Sequence, residues 1–248
     1  MEFLTFMGVL MQSKAAVCLC ASSLPKLIID RLSKKFHVIT LPADSTVAKP
    51  VQCHPDMICA VMDGHIYFHE SYANAYPSVI EEIEMASGLT AIITHENRHA
   101  DYPYDISLNA AVLPSALVCS LPHTAAELID AAEKSGRKII SVKQGYTACS
   151  SLICCSSVLT SDIGICRNLK NNGIDCTHIS SEGIILPGYN CGFIGGSGGI
   201  FGKMLYLFGS TDNLKDRDIL CEYVTKNDLT VVSLTDGPLT DYGGIKFI

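Results

Sequence analysis

Apolar positions in this chain switch repeatedly between two spacings, and the order of the switches itself recurs. Residues 15–21 form an apolar run of strand length, residues 24–36 place Leu27, Ile28, Ile29 and Leu32 at helical spacing, and residues 37–41 return to a β pattern. A hairpin is predicted next, with 57–62 and 65–69 joined by Asp63-Gly64, a strong two-residue turn signal. A helix over 76–86, closed by Gly88, then leads to a strand at 90–94. The same series returns three times. It runs 106–112, 116–121, helix 124–135 and strand 138–142; then 151–155, 158–160, helix 162–171 and strand 175–179; then 192–194, 204–208, helix 212–225 and strand 230–234.

Consecutive helices start about 40 to 50 residues apart, the period of a supersecondary unit that cannot bury its apolar face alone. A ring of about five strand, strand, helix, strand units solves that burial problem. The first unit lacks a leading strand, so closure depends on residues 243–248 pairing with the N-terminal unit. Gly145-Tyr146-Thr147-Ala148-Cys149 and Gly188-Tyr189-Asn190-Cys191, which enter the fourth and fifth units, support the repeat. A doubly wound parallel sheet also alternates strand and helix, but asks for no hairpin before each helix. No low-complexity segment or Pro/Ser linker marks a boundary, which predicts a single α/β domain over residues 1–248.

Composition narrows the function classes. Apolar residues make up 48% and charged ones 17%, which excludes disorder and implies strands buried on both faces. A net charge of -7, with lysines and arginines scattered, leaves no nucleic-acid footprint. The 12 cysteines fall within apolar runs, as at Cys18, Cys20, Cys59, Cys154 and Cys155, and read as buried small hydrophobes in a reducing compartment. Glu2 stands where a signal peptide needs positive charge, and Gln12, Ser13 and Lys14 interrupt the first apolar stretch. No run reaches the roughly 18 apolar residues of a spanning helix. A cytoplasmic protein without membrane contact is expected.

His95-Glu96-Asn97-Arg98-His99 spells the H-E-x-x-H of zinc peptidases, which sets two histidines on one helical face beside a general base. It follows a β run and meets Pro103 soon after, so a solvated loop is the favoured reading and zinc hydrolysis the remote one. His65 and His69 share a strand face too widely spaced for a chelate and read as surface or cross-strand residues. Asp162 precedes a helix and is expected to cap it. The glycine run at 195–199 suggests close backbone packing or room for a ligand, and is neither a Rossmann nor a P-loop fingerprint. No cofactor or metal is called for.

With this repeat, His54-Pro55-Asp56, Asp105-Ile106-Ser107-Leu108-Asn109 and Gly192-Phe193-Ile194-Gly195-Gly196-Ser197-Gly198-Gly199 resemble the pentein fold. That fold belongs to arginine and agmatine deiminases, dimethylargininases and amidinotransferases. More narrowly, the stretches look like a family of uncharacterised bacterial proteins assigned to it. The resemblance covers nearly the whole chain and implies a five-bladed α/β propeller of ββαβ units with its site at the axis, where the inner strands converge. The residues at the blade entrances are then His54, Asp56, Tyr104, Asp105, Cys149, Ser150, Gly195 to Ser197, and Asp241.

The resemblance assigns His54 to proton handling and Asp56 to paired hydrogen bonds with a guanidinium, although His-Pro-Asp is also an ordinary turn sequence. Alternation along a strand would point both to one face. The family's nucleophile is a cysteine near the C-terminus, and residues 239–248 contain none. Ile194-Gly195-Gly196-Ser197 stands where many of those enzymes carry Glu-Gly-Gly-Asp, and His54 comes earlier than the family order places it. Cys149 is either a relocated nucleophile, its thiol acidified by His54, or a buried strand cysteine; Cys191 is weaker still. Asp105, Ser150 and Asp241 are candidate substrate-binding residues, and Asp241 could equally bind N–H groups of the Tyr242-Gly243-Gly244 turn. Two functions follow: a protein that binds or hydrolyses a small cationic, guanidino-type compound in a polar channel, and a noncatalytic binding or interaction protein.

Overall fold

The computed structural model describes residues 15–248. Residues 1–14, which hold much of the stretch judged above against a signal peptide, lie outside the described residues. In the first unit β1 (Val17–Ala21) leads through α1 (Lys26–Leu32) to β2 (His37–Leu41), parallel to β1. The second has α2 (Pro55–Ile58), the hairpin β3 (Cys59–Met62) and β4 (His65–His69), α3 (Glu70–Ala75), α4 (Pro77–Ser87) and β5 (Thr90–Thr94). The third has β6 (Ala111–Val112), β7 (Ala116–Cys119), α5 (Ala126–Lys134) and β8 (Lys138–Ser141). The fourth has β9 (Ser151–Cys154), β10 (Ser157–Thr160), α6 (Ile163–Asn171) and β11 (Asp175–His178). The fifth has β12 (Gly198–Phe201), β13 (Met204–Leu207), α7 (Arg217–Lys226) and β14 (Thr230–Ser233).

Each of these units yields a three-stranded sheet with one antiparallel and one parallel pairing. The first sheet obtains its antiparallel member from the far end of the chain: β15 (Lys246–Phe247) pairs with β1, Cys18 opposite Phe247. Val17 and Ile248 extend the pairing by exchanging two backbone hydrogen bonds of 2.9 Å.

A ββαβ unit is apolar on both faces of its sheet, and the cores show where those faces go. Val17 and Leu19 of the first sheet share a core with Ile66 and Ile83 of the second. Ala60 and Tyr67 of the second meet Leu117 and Leu128 of the third, and Val118 of the third meets Val158 and Leu169 of the fourth. Leu159 of the fourth meets Leu205 and Leu220 of the fifth, and Tyr206 of the fifth meets Cys18 and Ile28 of the first. The succession of shared cores thus returns to its starting sheet. β3, β6, β9, β12 and β15 each contribute residues to one cavity of about 310 Å³.

Local departures from the sequence reading have local causes. Asp63 and Gly64 take φ of 51° and 76°, as the expected hairpin turn requires. The strand expected at 192–194 lies instead at β12, after a single 3₁₀ turn at Gly195–Ser197. There Gly198 and Gly199 pass so close to the Tyr206 and Ile245 carbonyls that no Cβ would fit. Helix α7 starts at Arg217 rather than 212, α1 ends at Leu32 rather than 36, and only Ala111–Val112 of 106–112 is strand. Two short helices, α2 and α3, were not anticipated; Pro55 at the first position of α2 sets the helical φ there. Nine cysteines are buried, as expected, but Cys155 is exposed at φ 53° in the turn between β9 and β10. Among the described residues no helix is long and apolar enough to cross a membrane.

Phe247 fastens the first sheet to the fifth, its ring 4.8 Å from Phe36, 5.4 Å from Phe201 and 5.6 Å from Tyr206 between centroids. Phe247→Ala is expected to cost about 2 to 4 kcal/mol in urea unfolding, from lost ring burial and the void left behind. An unchanged midpoint would show that the closing strand carries little of the stability.

Candidate functional site

The loops that enter the sheets bring His54, Asp56, Asn109, Cys149 and Asp241 into one buried cluster, each at most 5% exposed. His54 precedes α2 in extended conformation (φ -70°, ψ 121°), and Asp56 lies in the first turn of that helix. The two side chains therefore meet across a helix start, not by strand alternation: Nδ1 of His54 is 4.0 Å from Asp56 Oδ1 and 3.7 Å from Asp241 Oδ1. Gly243 (φ 79°) is needed because His54 fills the space of any Cβ there, while the Asp241 carboxylate fills that of Gly196.

Asp241 binds a turn N–H, as one of its two sequence readings has it, and lines a cavity as well. Its Oδ2 accepts from the Phe193 N–H and its Oδ1 from the Gly243 N–H, each at 2.9 Å, and it also lines a cavity of about 280 Å³. His54, Met57, Cys149, Tyr146, Tyr189 and Phe193 line the same cavity. Asp56 instead lines the 310 Å³ cavity on the inner strands, with Ala148, Gly195 and Gly243, so the cluster lies between the two spaces. Among the described residues neither oxygen of Asp56 accepts from an N–H or O–H group, and the donor beside it is the Cys149 thiol.

Asn109 organises the cluster and was not singled out in the sequence as a site residue. Its Oδ1 accepts from the Ala148 N–H at 2.8 Å, and its Nδ2 donates to the Asp56 carbonyl at 3.0 Å and approaches Cys149 Sγ at 2.9 Å. Three loops are thereby held by one amide. Cys149 Sγ also lies 3.9 Å from Met57 Sδ.

Electrostatics here follow from burial without a counter-cation. Burial first, and the charge of Asp56 second, push the Asp241 carboxyl up to about 7, against the two backbone donors. Burial lowers His54 below its ordinary value, with Asp56 opposing, so the imidazole is neutral at pH 7. Burial, then Asp56 and Asp241, raise the Cys149 thiol well above its ordinary value, so it is protonated. Acidification of Cys149 by His54, one of the two readings open in the sequence, is not what this arrangement produces; the thiol is buried, as the other reading has it.

Other candidates lie elsewhere. Asp105 is buried and accepts from the Tyr146 hydroxyl at 3.1 Å, reaching the cavity only through that ring. Ser150 is fully buried, lines neither cavity, and its hydroxyl has no partner. Residues 95–99 form no helix. His95 pairs with Glu70 at 3.0 Å and His99 stacks on Tyr104 at 4.3 Å, so the H-E-x-x-H residues do not converge. Nor is that loop simply solvated: Arg98 is buried, pairs with Asp44 at 3.4 Å and donates to the Met57 carbonyl, bracing α2 from behind. His69, read as a surface or cross-strand residue, is buried between Ser71 and the Glu96 carbonyl. Asp162 caps α6 as expected, accepting from the Ile165 N–H at 2.7 Å.

Asp241 and His54 shape the pH dependence in opposite senses. A carboxyl with a raised folded pKa contributes stability below the ordinary carboxylate range and loses it as pH rises through about 7. A histidine with a lowered folded pKa loses stability as pH falls through its ordinary value. Asp56→Asn removes repulsion on ionised Asp241 at high pH and support for protonated His54 at low pH. Its stability relative to the unaltered protein should therefore rise steadily from pH 5 to pH 8 in urea unfolding; a flat difference would contradict the assignment.

Among solved structures, the agmatine deiminase of C. jejuni matches with a TM-score of 0.51 at 10% sequence identity, over 88% of this chain and 75% of that one. The likeness is one of fold and supports a pentein-like α/β architecture. No curated protein matches the chain by sequence. A family model matches residues 19–246, and the chain thus belongs to DUF6873, a family of unknown function.

Proposed function

We propose that the five sheets are the blades of a pentein propeller and that its hub binds a small cation of the amidino or guanidino class. The propeller reading is supported by the repeated sheet order, by cores that run from each sheet to the next and from the fifth back to the first, and by one cavity shared by five inner strands.

One observation carries the binding reading: among the described residues the buried Asp56 carboxylate accepts from no N–H or O–H group and has only the Cys149 thiol as a donor beside it, Lys246 lines the same cavity without pairing with it, and Asp241 stands nearby. Among the described residues neither carboxylate forms an ion pair with a lysine or arginine. Burying an unpaired carboxylate is costly, and a planar cation with paired N–H donors removes that cost by charge-assisted hydrogen bonds. In isothermal titration at pH 8, methylguanidine should bind, and Asp56→Asn and Asp241→Asn should each weaken it at least about tenfold, as the loss of a charged hydrogen bond implies. A protein that releases no heat with methylguanidine at millimolar concentration lacks the proposed site.

A hydrolytic reading is favoured by a further feature, that Cys149 and His54 line one cavity. Attack on an amidino carbon requires the thiolate, and the carboxylates that hold Cys149 protonated are those a bound cation would neutralise. Chloroacetamidine, a cation, should then alkylate Cys149 faster than neutral chloroacetamide in a protein whose exposed Cys155, Cys191 and Cys221 are serines. Asp56→Asn should abolish the difference. Equal rates with the two reagents would leave a noncatalytic binder.

A further inference from the structure

The wall of the 280 Å³ cavity contains no lysine and no arginine. Its charged group is Asp241, already holding the Phe193 and Gly243 N–H groups, and much of the rest is apolar: Val51, Met57, Leu186 and Phe193. Two tyrosines complete it in different ways. Tyr146 gives its hydroxyl to Asp105 at 3.1 Å, so what it offers a ligand is its ring. Tyr189 is 48% exposed and forms part of the wall, an aromatic surface open to solvent at one side and to the cavity at the other.

An amino-acid ligand carries a carboxylate that needs a donor-rich or cationic partner. Here it would be buried unpaired beside Asp241, at a cost that a positive end does not recover. A second ammonium group would lose its hydration against Leu186 and Val51. A flat apolar body, by contrast, gains the area it buries, and aromatic faces stabilise both a ring and an adjacent cation.

We infer that the ligand is a carboxylate-free monocation whose amidino or guanidino head is joined to a flat, ring-bearing apolar body, held between Tyr146, Tyr189 and Phe193. This deepens the cation-binding reading and rests on it. The lining discriminates by charge more than by size, because among the described residues the wall offers a zwitterion's carboxylate no lysine or arginine and a dication's second ammonium no second carboxylate, only the uncharged amide of Asn190.

Four probes separate the outcomes in titration calorimetry at pH 8 on the unaltered chain: methylguanidine, phenylguanidine, agmatine and L-arginine. Phenylguanidine should bind at least tenfold more tightly than agmatine and a hundredfold more tightly than L-arginine. Tyr189→Ala should weaken phenylguanidine about five- to tenfold while leaving methylguanidine within twofold, a difference that a general loss of folding would not produce. If L-arginine or agmatine matches phenylguanidine, the inferred ligand class is wrong although the cation site stands. Loss of both methylguanidine and phenylguanidine binding in Tyr189→Ala would equally overturn the stacking role. If none of the four binds, the cation reading falls and this inference falls with it.

Discussion

The pairing of β15 with β1 is the constraint on which the rest of the architecture depends. Five units of one topology each leave an apolar face that only a neighbour can cover, and a linear array would leave two such faces in water. The last core, in which Tyr206 and Phe208 meet Cys18, Cys20 and Ile28, removes both at once. It also fixes the buried cluster, because Asp241 and Gly243 reach His54 on the segment that leads into β15. Phe247 in that strand and Asp241 just before it thus lie on one segment, which both closes the first sheet and completes the cluster.

The hub pairs a rigid frame with an unrelieved charge. Asn109 satisfies a loop N–H and a carbonyl from two units besides its own, and Arg98 holds the Met57 carbonyl from the opposite side, so the backbone of the cluster is well supplied with partners. Its carboxylates are not. Asp241 has two backbone donors, whereas Asp56 has only the Cys149 thiol, and a neutral imidazole lies beside them. Cys149, the thiol in this cluster, is held in its protonated form by burial and by these carboxylates.

Much of this was legible from residue order, and the illegible parts share a cause. Asp63-Gly64 dictated a hairpin because its backbone angles suit few other pairs, and the helices of the later units announced themselves by periodicity. The gathering of His54, Asp56, Cys149 and Asp241 followed from their common place at unit entrances. What the sequence concealed depended on contacts between distant segments. The glycine run suggests close backbone packing, but nothing local identifies Tyr206 and Ile245 as the segments that approach it. Arg98 and His69 read as surface residues, since nothing local reveals Asp44 or the Glu96 carbonyl. Asn109 had been part of a recognised stretch, yet an asparagine announces no chemistry until the groups around it are known.

The join between β1 and β15 also bears on how the molecule is made. Its partners come from opposite ends of the described chain, so the loop to be closed is nearly the whole sequence, and contacts of that range slow folding because their entropic cost precedes their reward. While the chain is being synthesised, four sheets can assemble from neighbouring segments, but β1 lacks its antiparallel partner and Phe36 its Phe247 contact until β15 emerges. Until that segment is made, a nascent chain carries an open strand edge and an apolar seam, the kind of surface on which chaperones act and from which association between copies begins.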